Sequence, residues 1–223
     1  MSKLKTILST KILLKLQKQL LLDAGFEVTE SDFIETNHLD FEIPPLVGPG
    51  EVLIFSSQNG VKSVLKHPKI NKLKAKTAFC VGLKTKDLLQ QNGFKVEVYT
   101  SYAEDLAEII SLIYADEKFT FFSGNLRRDT LPNMLKQNGI SFNEIVVYET
   151  NLTPQKITSK PDGILFFSPS AVESFLKINK ITNEICFAIG NTTAQELEKN
   201  NIKNIIKADY TSVESVIGKL INY

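Results

Sequence analysis

Six short segments carry most of the chemistry that this chain of 223 residues offers: Ser9-Thr10-Lys11, Ser56-Ser57-Gln58-Asn59, Gly82 with Lys84-Thr85, Ser123-Gly124-Asn125 with Arg127 and Arg128, Ser168-Pro169-Ser170, and Gly190-Asn191-Thr192-Thr193. Each follows an apolar run and opens a helical pattern, so it brings small hydroxyls and backbone N–H groups to a helix start, where anions are attracted. Taken singly, such a segment is more often a plain helix cap than a ligand site. Together they gain weight, because in parallel α/β sheets the crevice beyond the carboxyl ends of the strands is where ligands bind. Two such crevices facing one another would suit a ligand rich in carboxylates or phosphates. Tyr148, in VVYET, stands where the chain is expected to cross between domains. Its phenol is either a proton donor to that ligand or a ring packed across a linker with its hydroxyl in water, and the two readings are level. Arg127 and Arg128 are either solvated helix charges or a carboxylate fork. For Arg128, read into a helix first turn, the macrodipole disfavours a cation and tilts the reading towards function.

Other chemistries are not indicated. His38 and His67 are the two histidines, and neither has a partner at ligand spacing, which speaks against a zinc site or a histidine-based triad. No GxGxxG follows a strand and no GxxxxGK[ST] occurs, so nucleotide-cradling loops are not expected; Gly48-Pro49-Gly50 precedes a strand and reads as a turn. Basic and acidic residues number 26 and 25, too even a balance for general nucleic-acid or membrane-surface binding. Cys80 and Cys186 lie on separate apolar runs without CxxC spacing and read as buried thiols of a reducing compartment. At the N-terminus, Lys11, Lys15, Gln17, Lys18 and Gln19 interrupt the leucines at helical spacing, leaving no apolar stretch long enough for a signal or a membrane span. A cytoplasmic location is expected.

The chain around these segments follows a regular rhythm. Short β-branched or aromatic runs alternate with amphipathic stretches, the pattern of βα units in an α/β fold with parallel sheets. Strands are expected near 5–9, 26–29, 51–56, 77–81, 95–99, 118–122, 144–148, 163–167, 185–189 and 203–207, with Gly25, Gly93 and Gly139 closing helices. Two pairs of segments repeat. ILFFSPSAVESFL (164–176) echoes VLIFSSQNGVKSVL (52–65), setting Ser168 on Ser57, Val172 on Val61 and Leu176 on Leu65; AIGNTTAQELEKNNI (188–202) echoes CVGLKTKDLLQQNGF (80–94), setting Gly190 on Gly82 and Thr193 on Thr85.

Two stretches break the rhythm: 28–50, ending in Pro44-Pro45 and Gly48-Pro49-Gly50, and 145–163, punctuated by Pro154 and Pro161. Read as paired linkers near 31–48 and 147–162, they divide the chain into a discontinuous domain, 1–34 with 153–223, and an inserted domain, 35–152. Five strands and four helices then fall to each, with one copy of every repeated segment.

In order and spacing, the F-[ST]-S-x-N-[AG]-V and F-x-S-P-S-A-V repeats, IGNTTAQEL and SGNLRRDTLPNMLKQNGISFNEIVVYET resemble the uroporphyrinogen-III synthase family across essentially the whole chain. The resemblance implies two similar flavodoxin-like parallel-sheet domains joined by a two-stranded linker, the first domain discontinuous. It further implies no metal and no organic cofactor, and hydroxymethylbilane as substrate; a monomer is expected, with transient contact with the preceding pathway enzyme. That linear tetrapyrrole bears an acetate and a propionate on each ring, and the family closes it to uroporphyrinogen III with inversion of the last ring through a spiro intermediate and loss of water. The family's hydroxyl positions fall on Thr193 and Ser168 and its tyrosine on Tyr148. Three departures are visible: Thr10-Lys11-Ile12 stands where the family has T-R-P, Gly60 where it has alanine, and Phe167 where it has threonine. The rival reading is a non-catalytic two-domain binding protein for a small polycarboxylate or phosphate, of the exported receptor type.

Overall fold

The computed structural model describes residues 5–43 and 50–223. The Pro44-Pro45 and Gly48-Pro49 punctuation of the first linker lies outside the described residues. The chain opens with β1 (Thr6–Ser9), α1 (Lys15–Asp23), β2 (Glu27–Glu30) and β3 (Ile34–His38). It continues through β4 (Glu51–Phe55), α2 (Gln58–Leu65), α3 (Ile70–Lys74), β5 (Thr77–Val81), α4 (Leu83–Gln91), β6 (Lys95–Thr100), α5 (Ala103–Ile113), β7 (Lys118–Gly124), α6 (Thr130–Gln137) and β8 (Phe142–Leu152). It closes with β9 (Gly163–Phe166), α7 (Pro169–Leu176), β10 (Ile185–Ala188), α8 (Asn191–Lys199), β11 (Ile205–Lys207) and α9 (Val213–Ile221).

These elements form two compact units: residues through Glu35 together with Asn151–Tyr223, and Thr36–Thr150. In the first unit a five-stranded sheet runs β11-β10-β9-β1-β2, all parallel, which in chain order is the 2-1-3-4-5 arrangement of flavodoxin-like folds. In the second the order is β3-β8-β7-β4-β5-β6. The repeats set β9, β10 and β11 on β4, β5 and β6, so β1-β2 and β7-β8 hold the same places in the two sheets. The pair of strands precedes its trio in one unit and follows it in the other, which makes the units circular permutations of one plan. Along the chain the order is pair, trio, pair, trio, and each sheet joins the trio of one half to the pair of the other.

Alternation along the strands builds a core on each face, because successive side chains point to opposite sides. In the first unit Ile164 and Phe166 face α7 and α8 through Val172, Phe175 and Leu197, whereas Leu165 faces α1 and α9 through Leu21, Val216 and Leu220. In the second, Leu53 and Phe55 meet Val61, Val64 and Leu89 of α2 and α4, and Val52 and Ile54 meet Leu106, Ile110 and Leu135 of α5 and α6. A fully buried side chain of this size contributes about 1.5–3 kcal/mol of transfer free energy. A charge at Leu53 or Leu165, both wholly buried, would empty one face of that contribution and leave an unpaired ion inside. Gly25, Gly93 and Gly139 follow their helices at φ +87°, +84° and +73°, the left-handed stop that the sequence pattern required.

Two elements depart from expectation. Residues 34–38 form β3 at the edge of the second sheet, which therefore has six strands and not five. Its sequence, IETNH, has too few apolar side chains to announce a strand; pairing holds it, with Leu39 N donating to Val147 O at 3.0 Å just beyond it. The short α3 gives this unit a fifth helix among the described residues, ended by Ala75 and buried through Leu73 alone.

Candidate functional site

In the second unit, β4 delivers Ser57 to the start of α2. Its backbone is extended (φ −154°, ψ 151°) and its Oγ accepts from Gly60 N at 3.1 Å, an ordinary serine cap. The same hydroxyl donates to Tyr148 Oη at 2.9 Å. Tyr148 is half-buried on β8 beside Gly124, with which it is in register. Glycine is required at 124: a Cβ there would overlap the ring, 2.5 Å from Tyr148 Cε2 and 2.7 Å from Oη. Gly60, where the family carries alanine, also lies by this ring, with its Cβ position 3.9 Å from Tyr148 Cε1 and 3.3 Å from Phe122 O. Gly82, the cap of α4, sits at φ +90°, so a side chain is excluded there by the backbone itself. Thr85 is buried in the first turn behind it.

In the first unit, β9 delivers Ser168 to α7 in the same way. Ser168 Oγ accepts from Ala171 N at 3.1 Å, and Pro169 fills the first helical position, where a missing N–H costs nothing. Here the third partner is the Ser170 hydroxyl at 3.0 Å, and the aromatic ring packed on the helix is Phe33, tilted against Phe175 with ring centroids 5.4 Å apart. Thr10 is buried, its hydroxyl donating to Leu165 O at 2.8 Å. The two family departures in this unit meet each other, with Lys11 Nζ 5.8 Å above the Phe167 ring. Gly190, the cap of α8, is fully extended at φ −177°, a conformation open to any residue, and a Cβ would meet the Thr211 side chain, Oγ1 at 3.3 Å and Cγ2 at 3.9 Å. Thr193 is wholly buried in the first turn, and its hydroxyl has no hydrogen-bond partner among the described residues. Asn191 Oδ1 accepts from Lys207 Nζ at 2.6 Å.

The two arginines separate. Arg127 forms a bidentate fork on Glu144, Nε to Oε1 at 2.5 Å and Nη2 to Oε2 at 2.9 Å, and also bonds Asp129. The fork holds Glu144 below the ordinary carboxylate range against the opposing effect of burial, and the same contact pushes Arg127 up. This carboxylate fork is thus turned inward, to the protein's own carboxylate. Arg128 is exposed and precedes Asp129, the cap of α6, so it stands outside the helix's first turn, where the sequence pattern had put it. Ser56, Asn59 and Thr192 sit at their helix starts with the rest, and Ser123 is the last residue but one of β7, before Gly124. Lys207 was missed by the sequence reading although it ends β11, so the same strand-end rule would have found it. Cys80 and Cys186 are free and buried, and burial pushes their thiols up to about 11 and about 12, away from reactivity at neutral pH. No helix among the described residues is long and apolar enough to cross a membrane.

Each unit thus gathers hydroxyls and first-turn N–H groups at the carboxyl ends of its strands, and in the second a phenol bonds the serine cap. The family model for "Uroporphyrinogen-III synthase HemD" matches residues 16–218. A uroporphyrinogen-III synthase of Chlorobaculum parvum is 28% identical over 181 residues, 71% of this chain and 73% of that protein. The porphyrin biosynthesis protein HemD of Ruminiclostridium josui is 24% identical over 189 residues, 76% of this chain but 37% of that longer protein. Among solved structures, uroporphyrinogen-III synthetase from Helicobacter pylori shares the fold at a TM-score of 0.73, with 23% identity over 98% of this chain and 99% of that one. A mutant uroporphyrinogen III synthase from Thermus thermophilus does so at 0.67, with 15% identity and 96% of each chain covered. With 16–218 matched, the chain belongs to the uroporphyrinogen-III synthase family.

Proposed function

We propose that this protein converts hydroxymethylbilane to uroporphyrinogen III. The observation that carries the reading is the family match over residues 16–218, and the strand-end geometry is suited to the chemistry. Protonation of the terminal hydroxyl lets it leave as water, and the azafulvene cation left behind is attacked by the substituted carbon of the far ring. The resulting spiro intermediate fragments and recloses with that ring inverted. Uncatalysed closure goes to the uninverted isomer, so the enzyme's first task is positioning: eight carboxylates are held so that the substituted carbon meets the cation. Backbone N–H groups at the starts of α2, α7 and α8 are donors of the right kind, since they cannot be deprotonated and cost no reorganisation. Tyr148 is the proton donor to the leaving hydroxyl in this reading. Among the family departures, Lys11 serves as a point charge where an arginine fork would have been bidentate.

The protein is read as a cytoplasmic monomer, with the two units as separate folding domains; a segment covering 36–150 is then expected to melt cooperatively by itself. The rival, a non-catalytic polycarboxylate receptor, would bind the same ligand without turnover. Incubation with hydroxymethylbilane, followed by oxidation and separation of the porphyrin isomers, tells them apart. Predominantly the type III isomer is expected; type I at the uncatalysed rate would refute the assignment.

A further inference from the structure

Ser57 does more than cap a helix. Its oxygen accepts from Gly60 N at 3.1 Å and its proton goes to Tyr148 Oη at 2.9 Å, so amide, serine and phenol form one chain of hydrogen bonds pointing outward from the helix start. With its oxygen already accepting from Ser57, the phenol has its own O–H left to donate. Gly124 sets the other side of the ring, because a Cβ would overlap it. The ring is therefore seated between α2 and the end of β7, and its hydroxyl is aimed by a donor that is itself fixed by a backbone amide. Hydrogen bonds in such a chain polarise one another, and a donor at Oη stabilises the negative charge that the phenol takes on as it gives up its proton. The corresponding cap in the first unit, Ser168, turns instead to the Ser170 hydroxyl and has no hydrogen bond to a phenol among the described residues.

We propose that Ser57 is a positioning residue for proton donation by Tyr148, acting through the Gly60 N–H to Ser57 to Tyr148 chain, with Gly124 as the seat of the ring. The proposal rests on the reading of Tyr148 as the donor. No bond is made or broken at Ser57 itself; the proton that leaves is the phenol's, it departs with the substrate hydroxyl as water, and the phenolate is reprotonated by the proton that the pyrrole carbon releases on ring closure.

A double-mutant cycle on the full chain tests this. Ser57→Ala is expected to lower kcat about tenfold with little change in KM, as the loss of an interaction that strengthens in the transition state requires. Ser57→Asp keeps a helix cap, since a carboxylate accepts from the amide, but cannot donate to the phenol. It is expected to restore the melting temperature lost in the alanine variant without restoring kcat. Ser57→Thr, which both caps and donates, should recover both. In a Tyr148→Phe background, Ser57→Ala should cost no further kcat, because residues acting as a unit are non-additive. If Tyr148→Phe lowers kcat and the serine effect adds in full, the positioning role is wrong while the tyrosine keeps its own. If Tyr148→Phe leaves kcat untouched with chemistry rate-limiting, the donor reading and this proposal fail together. Recovery of kcat by Ser57→Asp would also overturn the proposal, by showing that the cap alone mattered.

Discussion

The two sets of strand ends are made from the same repeated parts, yet in one the serine cap bonds a phenol and in the other a hydrocarbon ring packs on the capped helix. Ser57 and Ser168 have nearly the same backbone angles and accept from the amide three residues on, each at 3.1 Å. What differs is the neighbouring ring: half-buried Tyr148, bonded to Ser57, against wholly buried Phe33, tilted against Phe175. The contrast shows that a helix cap is a neutral piece of architecture, and that chemistry enters through what is allowed to approach it. In the second unit that permission comes from Gly124. Circular permutation adds to the lesson, because Tyr148 lies on a strand that follows the trio it packs beside, whereas Phe33 comes ahead of its trio in the chain.

The largest effect should come from removing the permission. Gly124→Val fills the space of the Tyr148 ring, and turnover is expected to fall about a hundredfold or more at equal folded fraction, the scale of a lost general acid with its surroundings disturbed. Steady-state kinetics beside circular dichroism checks this, and unchanged turnover would mean that the ring has no catalytic seat there. Tyr148→Phe keeps the ring and removes only the proton. A loss of about tenfold is expected, near or below the low end for general acid catalysis, since water can substitute in part. The reciprocal change, Phe33→Tyr, should add no turnover and should destabilise by about 1–3 kcal/mol, because the new hydroxyl is buried without a partner; denaturant melts measure it. A stable Phe33→Tyr variant would show the first unit's crevice to be more open than its packing indicates.

A smaller contrast is electrostatic. On the second strand of each pair a glutamate takes a base: Glu144 the fork of Arg127, Glu30 the single Lys18 Nζ at 3.1 Å. The fork puts Glu144 below its unfolded value, so its contribution to stability is complete above the ordinary carboxylate pKa near 4.3 and is lost as pH falls through the folded value. Glu144→Gln is therefore expected to flatten the acid limb of a stability-versus-pH curve between roughly pH 5 and pH 3. An acid limb unchanged in the variant would contradict the assignment.

Much of this was legible in the sequence. The repeats, the glycine stops and the alternation of apolar runs placed all ten strands that carry a period or a β-branched run, because local pattern and tertiary role agree there. The strand ends, and with them the serines and threonines of the caps, came with the strands. Strand β3 stayed hidden because IETNH gains its place by pairing with β8 and not by burial of its own side chains. For Arg127 the sequence leaves a solvated charge and a carboxylate fork open, and no sequence rule says that the carboxylate it meets is Glu144, seventeen residues on. The identical reading of Gly82 and Gly190 from the repeat also concealed a difference, since one sits at φ +90° and the other is extended. Nor can the Ser57–Tyr148 bond be read from a separation of 91 residues; it exists because β8 joins the sheet that β4 starts.

The most direct test of the contrast between the crevices is a pair of matched variants, Ser57→Ala and Ser168→Ala, assayed for hydroxymethylbilane turnover and for melting. Each loses the same cap and should lose a similar stability, about 1 kcal/mol. Only Ser57→Ala should lower kcat, by about tenfold, with Ser168→Ala staying within about twofold of the parent, since its first-turn N–H groups survive the change. Equal losses of kcat, or the larger loss in Ser168→Ala, would contradict the account.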